Sequence, residues 1–385
     1  MRVSIVGAGV SGLFSSYALI KKGIAVDLYE KEAIVGKKLL IAGKSGLNIT
    51  SDYPKADYPK MYFENSEVFK ELLMEFSADD TRAWLRELGF ESFVGSSYKV
   101  FPKEFKAANL LSKLKKTLLA SELFSLKPNS TLVDFDDDFL YFEKEKISYD
   151  RAIFALGGAT WSDTGSDGKW LSAFERRSIE VIRFSPSNCG FKTKTSTEER
   201  IPLKNIAITF KEHTVKGEAM LYNKAIEGGA IYHLSSYIRD EVEQNDYAQV
   251  TIDFLPMKNA DELIEQLSVN TKNSWANTIR KNIKLEPKLF KIIKKTLSKN
   301  EFFNPKVLVE TIKNFKLDLS DLNELDKAIS SAGGISFNEL DRAFRLRKYQ
   351  KIHICGEMID WEAPTGGFLI QGCLAIANRV CTELK

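Results

Sequence analysis

The chain has few of the residues that form covalent cross-links and metal centres. Its four cysteines include no Cys-x-x-Cys pair, and its three histidines lie far apart without the spacing typical of ligands. The pattern therefore predicts no zinc site, no dithiol redox centre and no other metal site. Structural cysteines and ordinary histidines are the simpler interpretation.

Long apolar runs and a large charge excess are also missing. No run of about 20 apolar residues is present, so no membrane-spanning segment is predicted. The N-terminus has neither the basic lead nor the cleavage site of a signal peptide. The net charge is only +3 for 385 residues, which does not favour an electrostatic nucleic-acid binder. We therefore expect a cytoplasmic protein of two or three domains, at roughly 150 residues per domain.

One stretch near the N-terminus looks like a nucleotide-binding loop but has the wrong spacing. "GKKLLIAGKSGLNIT", from Gly36 to Thr50, contains Gly43-Lys44-Ser45, which is similar to the end of an ATP-binding P-loop. A P-loop has four residues between its first glycine and Gly-Lys-Ser/Thr, whereas Gly36 and Gly43 enclose six. Because loop length decides how the amides curl around a phosphate, ATP binding is disfavoured. An ATP-binding switch would be recognised by Mg-ATP binding that is lost on Lys44→Ala.

The N-terminal residues have the order of a dinucleotide-binding unit. In "RVSIVGAGVSGLFSSYALIKKGIAVDLYEK", a short apolar strand precedes Gly7, Gly9 and Gly12, which have G-x-G-x-x-G spacing. A helix is predicted from Leu13 to Lys22. The second predicted strand ends at Glu30, 18 residues after Gly12.

The geometry of a dinucleotide-binding turn explains why each of these residues stands at its position. Gly7 permits the tight turn, Gly9 lets the backbone approach a pyrophosphate, and Gly12 lets helix and strand pack closely. The helix N-terminus offers free amides to the anion. Glu30 can accept hydrogen bonds from ribose hydroxyls and would repel a 2′-phosphate, which argues against NADP in this site. The pattern does not distinguish FAD from NAD.

The rest of the chain indicates a nucleotide-binding domain that is interrupted by an insertion. Residues 64–121 are predicted to be mostly helical, and strands are predicted near 131–135, 139–143 and 151–156. The last of these strands ends in Gly157-Gly158, which indicates a second close approach of backbone to ligand.

The middle of the chain has a different pattern of predicted strands and helices from its two ends. "IAITF", "AMLYN", "GAIYHL" and "AQVTIDF" predict strands, and "ADELIEQL" and "LFKIIKKTL" predict helices. After them, "KIHICGEMID" predicts a strand and "GGFLIQGCLAIANRVCTELK" a helix. We therefore predict a discontinuous nucleotide-binding domain (1–188 and 327–385), a β-rich subdomain (189–257) and a helical subdomain (258–326).

One segment is strongly basic. Residues 280–299 contain eight Lys or Arg and one Glu. A solvated helix face is the favoured interpretation, since Phe290 is the only aromatic residue in the segment. A patch for nucleic acid or an acidic partner is the alternative.

Several motifs in the same order resemble one known family over almost the whole chain. They are "VGAGVSGL", "GKKLLIAGKSGLNIT", "YKVFP", "ALGGATWSDTGSDGKW", "PSNCGF", "EGGAIY" and "GEMIDWEAPTGGFLIQG". The chain resembles the HI0933-like (BaiN/RdsA-like) family of NAD(P)/FAD-dependent flavoprotein oxidoreductases, known for bile-acid-type enone reductases. The resemblance implies an α/β fold with a Rossmann-like FAD-binding domain of the GR2 flavoprotein type, interrupted by the two inserted subdomains.

The same resemblance implies an FAD site assembled from separate segments. The three glycines of the first turn would hold the pyrophosphate, and the acidic residue after the second strand would hold the adenosine ribose. The near-P-loop would lie along the dinucleotide and flavin. The full set of implied cofactor-binding residues is Gly7, Gly9, Gly12, Glu30, Lys38, Gly43, Ser45, Gly46, Asn48, Gly157, Gly158, Gly356, Glu357, Gly366, Gly367 and Phe368.

Three further details belong to the resemblance. Gly356 and Glu357 match the position at which such folds bind the ribityl or pyrophosphate region. The "PTGGF" loop would bring backbone amides to the pyrimidine edge of the flavin, and the positive end of the helix it opens suits negative charge there. Much of the family has Arg-Cys where Gly46-Leu47 precede Asn48, and often Tyr where Phe368 stands, so those side-chain roles do not carry over.

The favoured function is an FAD-dependent oxidoreductase that takes hydride from NADH or NADPH and reduces a small organic substrate, such as a conjugated C=C bond. No catalytic residue stands out. Trp161, Asp163 and Asp360 lie in glycine-flanked loops and are candidates for stacking or proton donation, with a core position as the alternative for Trp161. A flavoprotein that binds or modifies RNA through the basic segment is the second hypothesis, and an ATP-binding switch is the third. The sequence predicts no oligomeric state.

Overall fold

The computed structural model describes residues 1–43, 46–104, 106–195, 199–269 and 274–384, and the statements below refer to them. The chain divides into two units. Unit 1 comprises Met1–Ser187 and Glu324–Lys385, and unit 2 comprises Asn188–Asn323. The subdomain bounds predicted from the sequence, including the division of the insertion into two parts, stay a prediction.

The regular elements follow one another in a mixed α/β order. The strands are β1 (Arg2–Val6), β2 (Ala25–Glu30), β3 (Thr50–Ser51), β4 (Ser92–Val94), β5 (Lys99–Pro102), β6 (Phe124–Pro128), β7 (Leu132–Phe135), β8 (Phe139–Phe142), β9 (Lys146–Ser148), β10 (Arg151–Phe154), β11 (Val181–Ser187), β12 (Phe191–Thr193), β13 (Ile201–Phe210), β14 (His213–Tyr222), β15 (Ala225–Glu227), β16 (Ala248–Asp253), β17 (Phe315–Leu322), β18 (Ser330–Ile335) and β19 (Ile352–Ile354). The helices are α1 (Val10–Lys21), α2 (Lys37–Ala42), α3 (Ser66–Glu75), α4 (Ala78–Glu87), α5 (Ala107–Leu119), α6 (Leu171–Glu175), α7 (Gly229–Asn245), α8 (Ala260–Ser268), α9 (Trp275–Asn282), α10 (Pro287–Thr296), α11 (Lys299–Phe302), α12 (Pro305–Lys313) and α13 (Phe368–Glu383).

Unit 1 is built on a parallel sheet with the strand order β19-β10-β1-β2-β6. The central strand β1 has four of its five residues buried, as expected for a strand covered on both faces. Strands β2 and β6 lie on one side of β1, and β10 and β19 lie on the other, so the order in which strands are added reverses between β1 and β10. A crevice at the carboxyl ends of these two strands is where open α/β sheets bind ligands.

Helices α1 and α13 pack against each other in unit 1, and both are largely buried. Helix α4 begins with a capping box, in which Ser77 and Asp80 satisfy each other's backbone N–H groups. A small antiparallel sheet, β3-β5-β4, lies beside α13. Strands β4 and β5 fall inside 64–121, so the prediction of mostly helical structure there missed a hairpin.

Unit 2 contains a closed barrel with the order β12-β15-β14-β13-β16-β17. The predicted strands in "IAITF", "AMLYN" and "AQVTIDF" correspond to β13, β14 and β16. The predicted strand in "GAIYHL" is wrong, because these residues begin helix α7. Its buried residues Ile231, Leu234, Ile238 and Val242 have helical spacing, which the short apolar run did not reveal.

Helices α8–α12 lie between β16 and β17 in the chain, as the sequence predicted for most of 258–326. Strand β17, however, falls in this stretch and completes the barrel between β12 and β16. Its alternation of buried and exposed residues was missed because helices precede it. The predicted α/β Rossmann-like architecture with an inserted unit is confirmed.

Strands β11 and β18 flank the insertion and form a separate antiparallel pair within unit 1. Their register places Ser187 opposite Ser330, so the chain leaves and re-enters unit 1 at neighbouring points. Among the described residues, no helix has the length and apolarity needed to cross a membrane.

Candidate functional site

The carboxyl ends of β1 and β10 meet in a tight backbone contact. Gly7 has φ +102°, and a Cβ placed on it would lie 2.3 Å from the Ala155 carbonyl oxygen. The Gly7 N–H donates to the Tyr29 carbonyl at 2.8 Å. Gly7 is therefore required for two reasons: its backbone conformation, and its close packing against Ala155 at the end of β10.

The other two glycines of the first turn have opposite surroundings. A Cβ on Gly12 would lie 1.9 Å from the Gly7 carbonyl oxygen, so Gly12 is needed for helix packing. Around a Cβ on Gly9, no described heavy atom outside its helix and its chain neighbours lies within 4 Å. Gly9 is the N-cap of α1, where free N–H groups and the positive end of the helix dipole face that open space. The space suits an anionic group that approaches the backbone.

Glu30 lies at the end of β2 and is only 9% exposed. Its Oε2 accepts from the Ala8 N–H at 2.6 Å, and its Oε1 accepts from the Glu32 N–H at 2.9 Å. Burial is the largest influence on this carboxyl and raises its pKa. Each oxygen keeps a second lone pair, so the carboxylate can accept one hydroxyl donor per oxygen in addition to the backbone donors.

Lys38 and Glu357 come from distant parts of the chain and form an ion pair. The Lys38 Nζ lies 3.0 Å from Glu357 Oε2 and 3.3 Å from Ser166 Oγ. Both side chains are about three-quarters or more buried, at 25% and 18% exposure. The Ser166 hydroxyl donates to the Gly158 carbonyl at 3.1 Å, which links this pair to the loop after β10.

The glycine pair after β10 is packed from both sides. A Cβ on Gly158 would lie 2.2 Å from Ser331 Oγ and 3.7 Å from the Glu357 Cβ. The Trp170 indole N–H donates to the Gly157 carbonyl at 2.9 Å. The structure thus brings the loop after β10 and the Glu357 segment together. The predicted approach of this glycine pair to a ligand stays a prediction.

Gly356 joins the same region to the first helix. A Cβ on Gly356 would lie 2.4 Å from the hydroxyl of Ser11, which is in the first turn of α1. The Trp361 indole N–H donates to the Gly356 carbonyl at 3.0 Å. One place at the edge of the sheet is therefore surrounded by residues 7–12, 155–158 and 356–357. Lys38 reaches this place from α2.

Helix α13 begins beside the short strand β3. Its N-cap, Gly367, has φ +96°, and a Cβ there would lie 2.4 Å from the Thr50 carbonyl oxygen. The neighbouring Gly366 also lies in a loop conformation that precedes the helix. The predicted helix in "GGFLIQG" is confirmed, and its N-terminus is held against β3.

A buried polar network fixes this helix start. Both Thr50 Oγ1 and Thr81 Oγ1 donate to Gln371 Oε1 at 2.7 Å, and Gln371 Nε2 donates to the Phe76 carbonyl at 2.9 Å. Sequence reasoning missed Gln371, because an isolated glutamine in an apolar helix gives no sign of its partners. The network connects α13 to β3, α4 and the end of α3.

Phe368 is 4% exposed and lies in an aromatic cluster. Its ring centroid is 5.0 Å from Tyr58 and 5.7 Å from Tyr53, both in edge-on geometry. The Tyr62 hydroxyl donates to the Phe368 carbonyl at 2.9 Å. The side chain of Phe368 therefore supports the start of α13 from inside the protein.

The near-P-loop is only partly described. Ser45 and Lys44, named in the sequence predictions, lie outside the described residues. Gly43 ends α2, and the Gly46 N–H donates to its carbonyl at 3.2 Å. The buried Asn48 Oδ1 has no hydrogen-bond partner among the described residues. Such an orphaned acceptor fits a site whose ligand donates a hydrogen bond.

A second orphaned atom lies after the glycine pair. Thr160 is fully buried, and its Oγ1 has no described hydrogen-bond partner. Together with the open space at Gly9 and the unpaired Asn48 acceptor, it indicates that the predicted residues fit a bound dinucleotide. Sequence reasoning missed three neighbours of the site, because single serines carry no distinguishing pattern in a helix, a loop or a strand: Ser11, Ser166 and Ser331.

The weaker catalytic candidates do not converge on one point. Trp161 is 40% exposed, so its predicted core alternative is wrong. Asp163 is exposed, and its carbonyl accepts from Lys37 Nζ at 3.4 Å. Asp360 Oδ1 accepts from the Gly333 N–H at 3.1 Å and thereby fixes a backbone turn.

Thiol chemistry is disfavoured throughout the described chain. All four cysteines are buried and unbridged. Burial raises the pKa of Cys373 and of Cys381 to about 12, which holds both as neutral thiols. Cys373 and Cys381 pack between α1, α13 and the sheet.

Comparison with known proteins identifies the family to which the chain belongs. The HI0933-like protein Rossmann domain family matches residues 1–383, which confirms the family expected from the sequence motifs. The chain is 22% identical to the 3-dehydro-bile acid delta(4,6)-reductase of Clostridium scindens, over 99% of each protein. It is also 22% identical to the ribosomal RNA dihydrouridine synthase of Haemophilus influenzae, over 95% of this chain and 94% of the relative.

Solved structures share the fold at low identity. The 3-ketosteroid delta1-dehydrogenase of Sterolibacterium denitrificans aligns with a TM-score of 0.51 at 9% identity, covering 99% of this chain and 98% of that one. An open flavocytochrome c3 fumarate reductase aligns with a TM-score of 0.50 at 14% identity, covering 99% and 77%. Identities this low support the shared fold alone.

Proposed function

Because the chain belongs to the HI0933-like Rossmann-domain family, we propose that it is a flavoprotein oxidoreductase that binds FAD at the carboxyl edge of its parallel sheet. Its substrate is a small organic molecule, and NADH or NADPH is the electron donor. Relatives over the full chain length, named for the reduction of a bile acid and for dihydrouridine synthesis, support an oxidoreductase activity.

The open space at Gly9 carries the proposal. Its neighbours Gly7 and Gly12 are crowded by backbone, whereas Gly9 faces free volume at the N-terminus of α1. A glycine that only shaped the turn would not need that volume. A pyrophosphate at this position would receive hydrogen bonds from the helix N–H groups and would be favoured by the helix dipole.

The remaining residues match successive parts of the cofactor. Glu30 would accept hydrogen bonds from the adenosine ribose. Lys38 and Glu357, which pair with each other at 3.0 Å, would bind the pyrophosphate and ribityl region. The amides of Gly366 and Gly367, at the positive end of α13, would stabilise negative charge at the pyrimidine edge.

FAD, when bound, supplies hydride transfer, and the protein supplies binding, orientation and electrostatics. The chain therefore needs no activated nucleophile, in keeping with buried thiols of raised pKa. A conjugated C=C bond is the favoured reducible group, because the Clostridium scindens relative is named as a delta(4,6)-reductase. The proton donor is unassigned.

The first test is the visible spectrum of the protein purified without added cofactor. Flavin bands near about 370 and 450 nm, with FAD released on heating, are expected. Anaerobic bleaching by NADH and by NADPH, compared at equal concentration, then identifies the donor. A colourless protein that takes up no added FAD would contradict the proposal.

A second function, RNA binding, is favoured by one observation. All eight Lys and Arg residues between 280 and 299 are exposed, while Leu289 and Ile293 of α10 are buried. One full-length relative is named for action on ribosomal RNA. If this face binds phosphates, log K should fall with log salt by about 0.7 to 0.9 per contact.

Charge reversal separates this second function from simple solvation. Changing Lys291, Lys294 and Lys295 together to Glu should abolish binding of a structured RNA at low salt. The matched control reverses three exposed lysines of α5, Lys113, Lys115 and Lys116. Equal binding by both triple variants would remove the RNA hypothesis.

A further inference from the structure

The hairpin between β4 and β5 carries an unusual residue at its tip. Ser97 and Tyr98 have φ +55° and +60°, a left-handed conformation that glycine and asparagine adopt far more easily. The β14–β15 hairpin uses Asn223 and Lys224 at its corresponding positive-φ positions. A bulky aromatic residue in this conformation is a true outlier, so turn formation does not explain Tyr98.

Burial does not explain Tyr98 either, because it is 49% exposed. Its backbone is nevertheless fixed. The Tyr98 carbonyl accepts from the Asp52 N–H at 2.7 Å and from the Ser51 hydroxyl at 3.2 Å. The Gly95 N–H donates to the Lys99 carbonyl at 2.7 Å and closes the turn. The hairpin therefore presents a large ring to solvent from a rigid backbone.

The ring is the outer member of an aromatic row that leads to the start of α13. Tyr98 and Tyr53 lie edge-on with centroids 5.5 Å apart, and Tyr53 lies 5.7 Å from Phe368. Phe368 is the first residue of α13, whose N-cap Gly367 rests on Thr50. We call Tyr53 and Tyr98 the aromatic wall.

We propose that the aromatic wall is a recognition surface for a planar, largely apolar ring system of the substrate. The inference rests on the proposed function, which puts the pyrimidine edge of the flavin ring at the N-terminus of α13. A flat conjugated substrate must lie over that ring, and edge-on tyrosines beside it offer apolar contact with favourable ring geometry. Tyr98 determines substrate affinity through its ring, and its hydroxyl is not required.

The test uses the full-length purified protein and 4-androstene-3,17-dione as the planar probe. Binding is measured by equilibrium dialysis, which needs no flavin signal, and thermal stability is measured in parallel. Tyr98→Gly and Tyr98→Asn both suit the left-handed backbone, so we expect an unchanged or higher Tm together with an approximately tenfold rise in probe Kd. Tyr98→Phe should stay within about twofold of wild type in Kd.

The control is Tyr247→Gly, which removes a tyrosine that is 59% exposed in unit 2 and should leave probe binding unchanged. Loss of Tm in both Tyr98→Gly and Tyr98→Asn would show that the residue serves the fold and would overturn the inference. Unchanged Kd in these variants, or a wild-type protein that does not bind the probe, would also overturn it. Failure of the proposed function is seen separately, as absent flavin absorption in wild type.

Discussion

At the scale of single residues, Gly9 and Gly12 are expected to respond differently to one added methyl group. Gly9 has φ −75° and open space, so Gly9→Ala should change the free energy of unfolding by less than about 0.5 kcal/mol. The methyl group would occupy the space assigned to the pyrophosphate, and FAD affinity should fall at least tenfold. Urea unfolding and FAD titration of the apoprotein measure the two effects.

The comparison variant is Gly12→Ala, whose Cβ would lie 1.9 Å from the Gly7 carbonyl oxygen. It should lose about 2 kcal/mol or more of stability because backbone must move. If Gly9→Ala were equally destabilised and bound FAD normally, the open space would have no ligand role.

His353 gives a pH-dependent prediction. It is 4% exposed on β19, its Nδ1 has no described partner, and burial lowers its pKa from 6.5 to about 4. The charged groups that act on it are Asp341, Arg345 and Arg151. The unfolded chain binds a proton below its pKa while the folded chain does not, so stability should fall as pH drops from 6.5 to 4.

His353→Gln has no titrating group and should remove that loss. The difference in unfolding free energy between wild type and variant should change by on the order of 2 to 3 kcal/mol across this range. Urea unfolding at a series of pH values measures it. A difference that is constant with pH would show that His353 is protonated alike in both states.

The sequence predicted the tight turn at Gly7 and the close helix packing at Gly12, because both follow from local spacing. It could not predict that Gly7 packs against the Ala155 carbonyl, since Ala155 lies far along the chain. It also gave no sign of Asn48 and Thr160 as orphaned polar atoms, because burial of a side chain depends on packing between distant segments.

At the scale of elements, the start of α13 depends on Gln371. Thr50, Thr81 and Gln371 are each 0% exposed, so their hydrogen bonds cannot be replaced by water. Gln371→Leu should destabilise unit 1 by about 2 to 4 kcal/mol, since it leaves buried donors and an acceptor unpaired. Chemical denaturation measures the loss.

Gln249→Leu is the matched control, because Gln249 is exposed on β16 and makes a single side-chain bond to Asp318. Its stability should change by less than about 0.5 kcal/mol. Equal effects of the two substitutions would mean that the buried network does not stabilise α13.

Elements with a strong periodic pattern were predicted, and those defined by their partners were not. Helices α1, α4, α8, α10 and α13 follow from spacing and caps. Strand β17 was missed because its pairing with β12 and β16 is non-local. The β4–β5 hairpin was missed because its strands have only three and four residues, too few for a clear alternating pattern.

At the scale of the whole molecule, the insertion should fold without the rest of the chain. Its barrel is closed, which leaves no unpaired sheet edge, and its strands bury a row of large apolar residues such as Ile208, Val250 and Leu317. Residues 188–323 expressed alone should show one cooperative thermal transition by circular dichroism. A broad, non-cooperative melt would contradict this.

The complementary variant joins Ser187 to Glu324 through a short Gly-Ser linker. Because Ser187 and Ser330 pair in β11 and β18, the linker spans a short gap, and unit 1 should still bind FAD. Loss of FAD binding with retained folding would show that the insertion contributes to the cofactor site.

The wide separation in sequence of the site's segments also determines when the proposed cofactor site can form. Gly9 is synthesised roughly 350 residues before Gly356 and Gly367, which at about 5 to 20 residues per second is about 20 to 70 s. During that interval β10 lacks its partner β19, and α1 lacks α13. The nascent chain therefore exposes the apolar faces of its central sheet while it is still on the ribosome. The proposed cofactor site is consequently complete only after the last helix, α13, has been synthesised.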